Sequence, residues 1–554
     1  MKTAQPLVVP CLFNIAFFMG QEDSVLRWNG WGEAAITMEL PVISIQQLKE
    51  WIGETQPVPD YPLEQFLRRI PPSRLPAHPK ISVDPQVRLF HAHGQSLVDW
   101  IGLRGGLLNT FPDGVAFPEN REELKDLLEW AITNRVQVIP YGGGTSVVGH
   151  LTVPEGSKPV LTIALARMKR LLHLDEENRL ATFEAGIRGP ELEAQLNARG
   201  YTLGHFPQSF DFSTLGGWIV TRSSGQQSLY YGRMEQLFMG GEVLTPLGAF
   251  QLPILPASAA GPDLKQIVLG SEGRLGIVSQ ATVKFFPLPE VNDFYGVFFP
   301  SWEAGFQAVY RLSQKRLALS MIRLSNAEET RTQLALAGHE TQIQWLKRYL
   351  RFRGIPEASA CLCLFGLTGS KNAIHQSRAE IFRLFRSFHG VSLGKKLGES
   401  WRKNRFRTPY LRNTLWDLGY ALDTLETAVT WNQVTPLMNK LQKVLGEGLQ
   451  AWTEKVHVFT HLSHLYATGS SIYSTFLFRL ASSPEETLAR WKILKQAASS
   501  AIVEMGGTIS HQHGVGLDHK PYLEAEKGVL GLQCLKQVLN YFDPQEQMNP
   551  SKLL

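Results

Sequence analysis

Apolar positions recur along this chain with two different periods, and the switches between them mark its elements. In "REELKDLLEWAITNR" (121–135) they fall at helical spacing, and the run leads into "VQVIPYGGGTSVVG", a strand entering a glycine cluster. Strand-like runs recur at "PVLTIAL", "ATFEAG", "GEVLTP" and "GIVSQATVKFFPLPE", which closes this region near residue 290. Beyond it, "VNDFYGVFFPS" predicts a strand and "WEAGFQAVYRLSQKR" an amphipathic helix, with "MIRLS" and "ASACLCLFGLTG" following. "EETLARWKILKQAASSAIVEMGG" predicts a helix stopped by its glycines, and "KGVLGLQCLKQVLNYFDP" a last helix ended by Asp543-Pro544. Between these two helices stands "HQHGVG" (511–516). No internal repeat is evident.

A length of 554 residues predicts two or three domains. Apolar content of 44% and charged content of 19% describe a folded chain. A net charge of +5 is too small at this length to suggest a nucleic-acid binder. One local basic run, "WRKNRFRTPYLR" (401–412), suits an anionic ligand. Four cysteines do not make a disulfide framework; Cys361 and Cys363 share one face of a strand-like run and read as core residues of a protein in a reducing compartment. The apolar start, "MKTAQPLVVPCLFNIAFFMG", is too short for a spanning helix and lacks a small-x-small cleavage site. It reads as a buried or surface-lying extension, or as sequence ahead of a start at Met19. "SKLL" runs one leucine past the peroxisomal tripeptide. A cytoplasmic protein is expected, with room for membrane association.

Three loops could carry chemistry. In "PYGGGTSVVGH" (140–150) successive glycines leave the backbone N–H groups open, and Thr145 and Ser146 add hydroxyls, a nest that suits a pyrophosphate. It is neither the G-x-G-x-x-G nor the Walker pattern, and alone it is as readily a flexible turn. In the second loop Ser213 and Thr214 precede Gly216 and Gly217; the third, "GSEGRLGIVSQATV" (270–283), is a glycine turn leading into a strand. His511 and His513 are open to three uses: a metal clamp, a proton-transfer centre or a polar turn. No cysteine or carboxylate cluster stands near them in sequence, so no metal is expected.

In this order the three loops resemble those of flavoproteins with the vanillyl-alcohol-oxidase type of FAD-binding domain. "RWNGWG", "SFDFSTLGGWIVTRSSGQQSLYYGRMEQL", "PYLRNTLWDLGYALDTLETAVTW" and "HQHGVG" resemble the alkyldihydroxyacetonephosphate synthase family and its bacterial relatives, over roughly residues 20–554. The resemblance implies an α+β fold. Residues 1–111 would wrap an FAD-binding domain at 112–290, and 291–480 would form a substrate cap that a helical part, 481–554, completes. It implies that Pro140, Gly142, Gly143, Gly144, Thr145, Ser146, Ser213, Thr214, Gly216, Gly217, Ser271, Glu272, Gly273, Gly276 and Ile277 bind FAD. Noncovalent FAD is expected, although His150 and His205 lie near the first two loops.

The implied reaction exchanges the acyl group of acyl-dihydroxyacetone phosphate for a fatty alcohol, with oxidised flavin as electrophile and no net redox change. It needs a base, a cationic clamp for phosphate and an apolar tunnel. Arg412 and Arg323 match the family's phosphate-pocket arginines, and Tyr473 its active-site tyrosine. Synthases carry three histidines before GVG; here Gln512 replaces the middle one. His513 stands where a histidine also occurs in 2-hydroxy-acid-oxidising relatives, so it is the expected base, with His511 as its partner. His461 and His464 would support the site from behind. The alternatives are an FAD-dependent 2-hydroxy-acid (D-lactate or glycolate) dehydrogenase or oxidase, and a flavin-binding scaffold without chemistry. Lipid-derived substrates leave room for peripheral membrane contact and for a homodimer.

Overall fold

The computed structural model describes residues 25–337 and 340–554. The apolar run at residues 1–20 lies outside them. The helix expected from "REELKDLLEWAITNR" forms as Arg121–Thr133: the Asn120 side chain accepts from Glu123 N–H at 3.0 Å, and Leu124, Leu127, Leu128 and Ala131 are buried. The chain then enters strand Gln137–Tyr141, at the edge of a four-stranded sheet. Its order is Ile81–Ser82, Gly114–Ala116, Val160–Ala164, Gln137–Tyr141, the last three strands parallel. The N-terminal region therefore contributes a strand of its own. A five-stranded antiparallel sheet follows, ordered Leu171–Asp175, Leu180–Glu184, Ile277–Lys284, Phe238–Thr245, Gly248–Leu252.

The C-terminal half is built on a seven-stranded antiparallel sheet, ordered Val391–Ser392, Val291–Phe299, Cys361–Gly369, Leu319–Ser325, His457–Leu462, Gly469–Arg479, Tyr420–Thr430. Cys361 and Cys363 are free and fully buried in it, as expected of core residues.

Residues 481–554 divide their packing. Helix Pro484–Glu504 buries Trp491, Leu494, Ala498 and Ile502 in the core beside the seven-stranded sheet, whereas Leu523, Leu539, Met548 and Leu553 join the core of the region that carries the glycine loops. The tail is fastened there by backbone bonds. Val138 N–H donates to Gln547 O and Asn549 N–H to Val138 O, both at 2.7 Å. The chain's end is thus part of the sheet that presents the first glycine loop. Among the described residues, no helix is long and apolar enough to cross a membrane.

Candidate active site

Strand Gln137–Tyr141 delivers Gly142–Gly144 against the second loop so closely that side chains do not fit. A Cβ on Gly143 would lie 1.8 Å from Phe212 O, and one on Gly142 2.4 Å from Thr214 Oγ1. The "WIVT" run continues the second loop as a helix, Leu215–Val220, capped by Thr214. In the third loop Gly273 adopts φ +77°, and a Cβ on Gly276 would lie 2.2 Å from Leu244 O. The three loops open on one cavity of about 620 Å³. Its wall contains Pro140, Gly142, Gly143, Gly144, Thr145, Ser146, Ser213, Thr214, Gly216, Gly217, Glu272, Gly273, Gly276 and Ile277, together with Arg323, Arg412, Tyr473, Gln512 and His513. Stretches scattered from 140 to 513 thus meet at one site. The bare backbone of these loops fits a dinucleotide diphosphate. Ser271 and His511 are not part of the wall.

Glu272 ties the loops to the C-terminal turn. Its carboxylate accepts from Val515 N–H at 2.5 Å and Gly516 N–H at 2.9 Å, and lies 3.1 Å from His150 Nε2. Gly516 is needed at φ +54°, where a Cβ would fall 2.0 Å from Val148 O. Both Glu272 oxygens are engaged in holding HQHGVG, so this residue acts on the site by position.

The two histidines of that turn part company. His511 is buried behind the wall: Arg233 Nη1 donates to its Nε2 at 2.8 Å, and the Tyr466 hydroxyl lies 2.6 Å from the same nitrogen. Arginine can only donate, so Nε2 accepts and the ring proton of neutral His511 sits on Nδ1, 3.2 Å from Glu426 Oε1. Burial lowers the His511 pKa to about 4, against the pull of Glu426. Glu426 also accepts from Ser463 Oγ at 2.7 Å and from Gln512 Nε2 at 2.5 Å, with His464 Nδ1 at 3.4 Å. Burial opposes its ionisation, but His511 and His464 outweigh it and hold the carboxyl well below its usual range. Glu426, His464 and His511 come within ligand range of a common metal position. The proton on His511 Nδ1 and the adjacent Arg233 cation both oppose a metal there. The expected His511–His513 pairing is therefore corrected: His511 works with Glu426, Tyr466 and Arg233.

His513 lines the cavity, its ring centroid 6.0 Å from that of Tyr473. Burial lowers the His513 pKa and raises that of Tyr473 to about 12. Tyr473 stacks on His461 at 4.9 Å, and His461 Nδ1 lies 3.0 Å from Glu329. Glu329 also pairs with Arg323, which compensates that cation.

Arg412 differs. Its Nη1 donates to Gln95 O at 2.6 Å and its guanidinium lies 4.3 Å from the Trp100 ring centroid, while Nε and Nη2 are buried without a partner. It has no ion pair among the described residues. Burial lowers its pKa to about 10, so it stays cationic at neutral pH. Gln95 N–H in turn donates to Ser146 O of the first loop at 2.6 Å. "RWNGWG" docks on the same helix, Leu411–Asp417, through paired 3.0 Å bonds between Trp31 and Asn413.

Residues 112–251 match the family described as FAD binding domain, and residues 288–553 that described as FAD linked oxidases, C-terminal domain. The chain is 32% identical to alkyldihydroxyacetonephosphate synthase of Dictyostelium discoideum, over 96% of this chain and 93% of that protein. It is 30% identical to the enzyme of the same name from Trypanosoma brucei brucei, over 96% and 92%. The chain belongs to the alkyldihydroxyacetonephosphate synthase family. A solved structure of an alkyldihydroxyacetonephosphate synthase superposes with a TM-score of 0.83 at 27% identity, covering 95% of this chain and 99% of that one. The α+β flavoprotein fold is thereby established, with FAD as its cofactor.

Sequence reasoning missed Glu426, Gln95, Arg233 and Tyr466 as members of this synthase-type site. Glu426 and Arg233 lie within the quoted "TLET" and "GRMEQL" stretches and Tyr466 two residues after His464, but nothing local points to their partners. Besides Arg323 and Arg412, Arg405 of the basic run also lines the cavity; its Nη1 donates to Gln227 Oε1 at 3.0 Å.

Gly143→Ala tests the loop packing. The added methyl must push the first loop away from Phe212, so the purified variant is expected to lose most of its flavin, read as flavin absorbance per protein. Wild-type flavin content would contradict this geometry.

Proposed function

We propose that this protein is an FAD-dependent alkyldihydroxyacetonephosphate-synthase-type enzyme, exchanging the acyl group of acyl-dihydroxyacetone phosphate for a fatty alcohol in ether-lipid synthesis. The observation that carries the reading is Arg412: a buried guanidinium on the wall of the flavin cavity, with two nitrogens unpartnered. A phosphate would complete it in the forked geometry arginine favours. The 2-hydroxy-acid alternative has less support, because similarity over nearly the whole chain runs to synthases.

The three glycine loops would hold FAD, which when bound supplies an electrophilic ring that permits exchange without net redox change. Noncovalent binding is favoured by the nearby histidines. His150 Nδ1 lies 2.7 Å from Ser146 Oγ and its Nε2 faces Glu272, while His205 is buried with Nε2 3.1 Å from Ser223 Oγ. His513 takes the proton beside the substrate carbonyl, its neutral form favoured by burial. Tyr473, kept protonated, offers an O–H to oxygen in the same cavity. Arg323, compensated by Glu329, contributes less to phosphate binding than Arg412 does. Gln512 gives its N–H to the Glu426 carboxylate, which can only accept, so its carbonyl oxygen is left for the cavity. It supplies an acceptor where synthases usually carry a titratable ring.

The direct test is incorporation of labelled hexadecanol into acyl-dihydroxyacetone phosphate by the FAD-bound protein, together with flavin bleaching by D-lactate or glycolate. Incorporation without bleaching is expected; bleaching without incorporation would overturn the reading. Arg412→Met should keep its flavin and lose roughly two orders of magnitude in kcat/KM, about 3 kcal/mol. An unchanged value would remove Arg412 from phosphate binding. A base must be unprotonated to act, and burial lets His513 remain so below the ordinary histidine pKa of about 6.5. The acid limb of the pH–rate profile is therefore expected below that value, and a limb above it would exclude His513. Gln512→His preserves an N–H for Glu426 and should give equal or higher activity; a collapse would mean that the site is tuned for a different reaction.

A further inference from the structure

Arg405 is a second cation that the cavity holds without a counter-ion. It follows helix Lys396–Asn404 as its C-terminal cap and lines the cavity wall. Its Nη1 donates to Gln227 Oε1 at 3.0 Å, its Nε is buried without a partner, and it has no ion pair among the described residues. Glu193 acts on it only through space, because that carboxylate is taken up by the Thr202 hydroxyl at 2.7 Å and Gly204 N–H at 2.9 Å. Burial lowers the Arg405 pKa to about 10, so the guanidinium stays cationic at neutral pH.

Its donors are presented in the same way as those of Arg412. In both residues Nη1 is tied to an amide oxygen, Gln227 Oε1 in one and Gln95 O in the other, which leaves the side-on pair of Nε and Nη2. That pair sends two parallel N–H bonds to two oxygens of one planar group. Gln227 is fixed in its accepting role: its Nε2 donates to Asn292 Oδ1 at 3.1 Å and Thr368 Oγ1 at 3.2 Å, which turns its oxygen to Arg405.

The surroundings of the two arginines differ, and the difference selects the anion. The Arg405 guanidinium lies 4.6 Å from the Phe206 ring centroid, 4.7 Å from that of Phe406 and 5.9 Å from that of Trp401. Trp401 and Met321, both in the cavity wall, belong to one apolar cluster. Ring faces give no hydrogen bonds, so a phosphate beside Arg405 would leave charged oxygens desolvated. A carboxylate is planar, carries one charge and is satisfied by a single fork, and an apolar chain behind it suits Trp401 and Met321. The exchange reaction sets free one long-chain carboxylate in each turnover, and Arg412 is already matched to phosphate.

We propose that Arg405 is the subsite for the long-chain carboxylate that the exchange releases, with Nε and Nη2 on its two oxygens and its chain along Trp401 and Met321. That role in turnover rests on the synthase reading; carboxylate binding at Arg405 does not.

The test is equilibrium binding to the full-length FAD-bound protein, read by titration calorimetry in the absence of turnover. The probes are submicellar palmitate, methyl palmitate, which keeps the chain and lacks the charge, and dihydroxyacetone phosphate. The wild type is expected to bind palmitate about ten-fold or more tightly than methyl palmitate. Arg405→Met should abolish that preference and leave the affinity for dihydroxyacetone phosphate within about two-fold, whereas Arg405→Lys, which keeps the charge and loses the fork, should retain part of the preference. Arg412→Met should do the reverse of Arg405→Met. Equal wild-type affinity for the two palmitates overturns the proposal without any variant, so the test survives a variant that fails to fold. Unchanged palmitate binding in Arg405→Met also overturns it, as does an equal loss of dihydroxyacetone phosphate, which would assign Arg405 to phosphate. A protein that binds palmitate through Arg405 and incorporates no hexadecanol would refute only the synthase reading. One that incorporates hexadecanol and binds both palmitates alike would refute only the carboxylate subsite.

Discussion

Burying a guanidinium without an ionised partner costs several kcal/mol, and a fold that keeps one in that state has to immobilise it by other means. Arg412 is held on three sides: one N–H is given to the Gln95 carbonyl, one face lies on Trp100, and its helix is gripped by the Trp31–Asn413 pair. Gln95 also bonds the backbone of the first glycine loop at Ser146, so the cation and the diphosphate cradle are registered against each other through one residue. Gly32 belongs to the same arrangement. At φ +73° it passes so near Tyr410 that a Cβ would lie 2.5 Å from the hydroxyl oxygen.

A second registration joins the flavin loops to the proton-handling turn. Glu272 lies in the third loop, yet its carboxylate holds the backbone of Val515 and Gly516. Behind the turn, Glu426 gathers Gln512, Ser463, His464 and His511, while Arg233 and Tyr466 fix the His511 tautomer. A movement of either carboxylate would displace Gln512 and His513 relative to the flavin loops. Gln512 fits this network, because its amide N–H satisfies Glu426.

The parts of this site legible in the sequence are those whose chemistry is local. Gly142, Gly143, Gly144, Gly216, Gly217 and Gly276 announce backbone approach through residue type alone, and all of them line the cavity. Arg412 and His513 were reached through family motifs and also lie there. The partners were not legible. Glu426 and His511 are far apart in sequence and meet where the C-terminal turn lies against strand Tyr420–Thr430, His511 N–H donating to Glu426 O at 3.0 Å, and Gln95 meets Arg412 across an even longer interval of |i−j| = 317. Arg323 lies in the cavity wall, but its compensation depends on Glu329, a residue that looks like an ordinary acidic first turn of a helix. His511 looked like a partner of His513 because the two stand two residues apart; tertiary structure turned one into the cavity and the other into a buried carboxylate network.

The account depends most on the unpartnered nitrogens of Arg412. A structure of the FAD-bound protein with acyl-dihydroxyacetone phosphate tests it most directly. The substrate phosphate is predicted within hydrogen-bonding distance of Arg412 Nε and Nη2, with the acyl chain along the apolar wall. A phosphate seated elsewhere, with those two nitrogens still unpartnered, would contradict it.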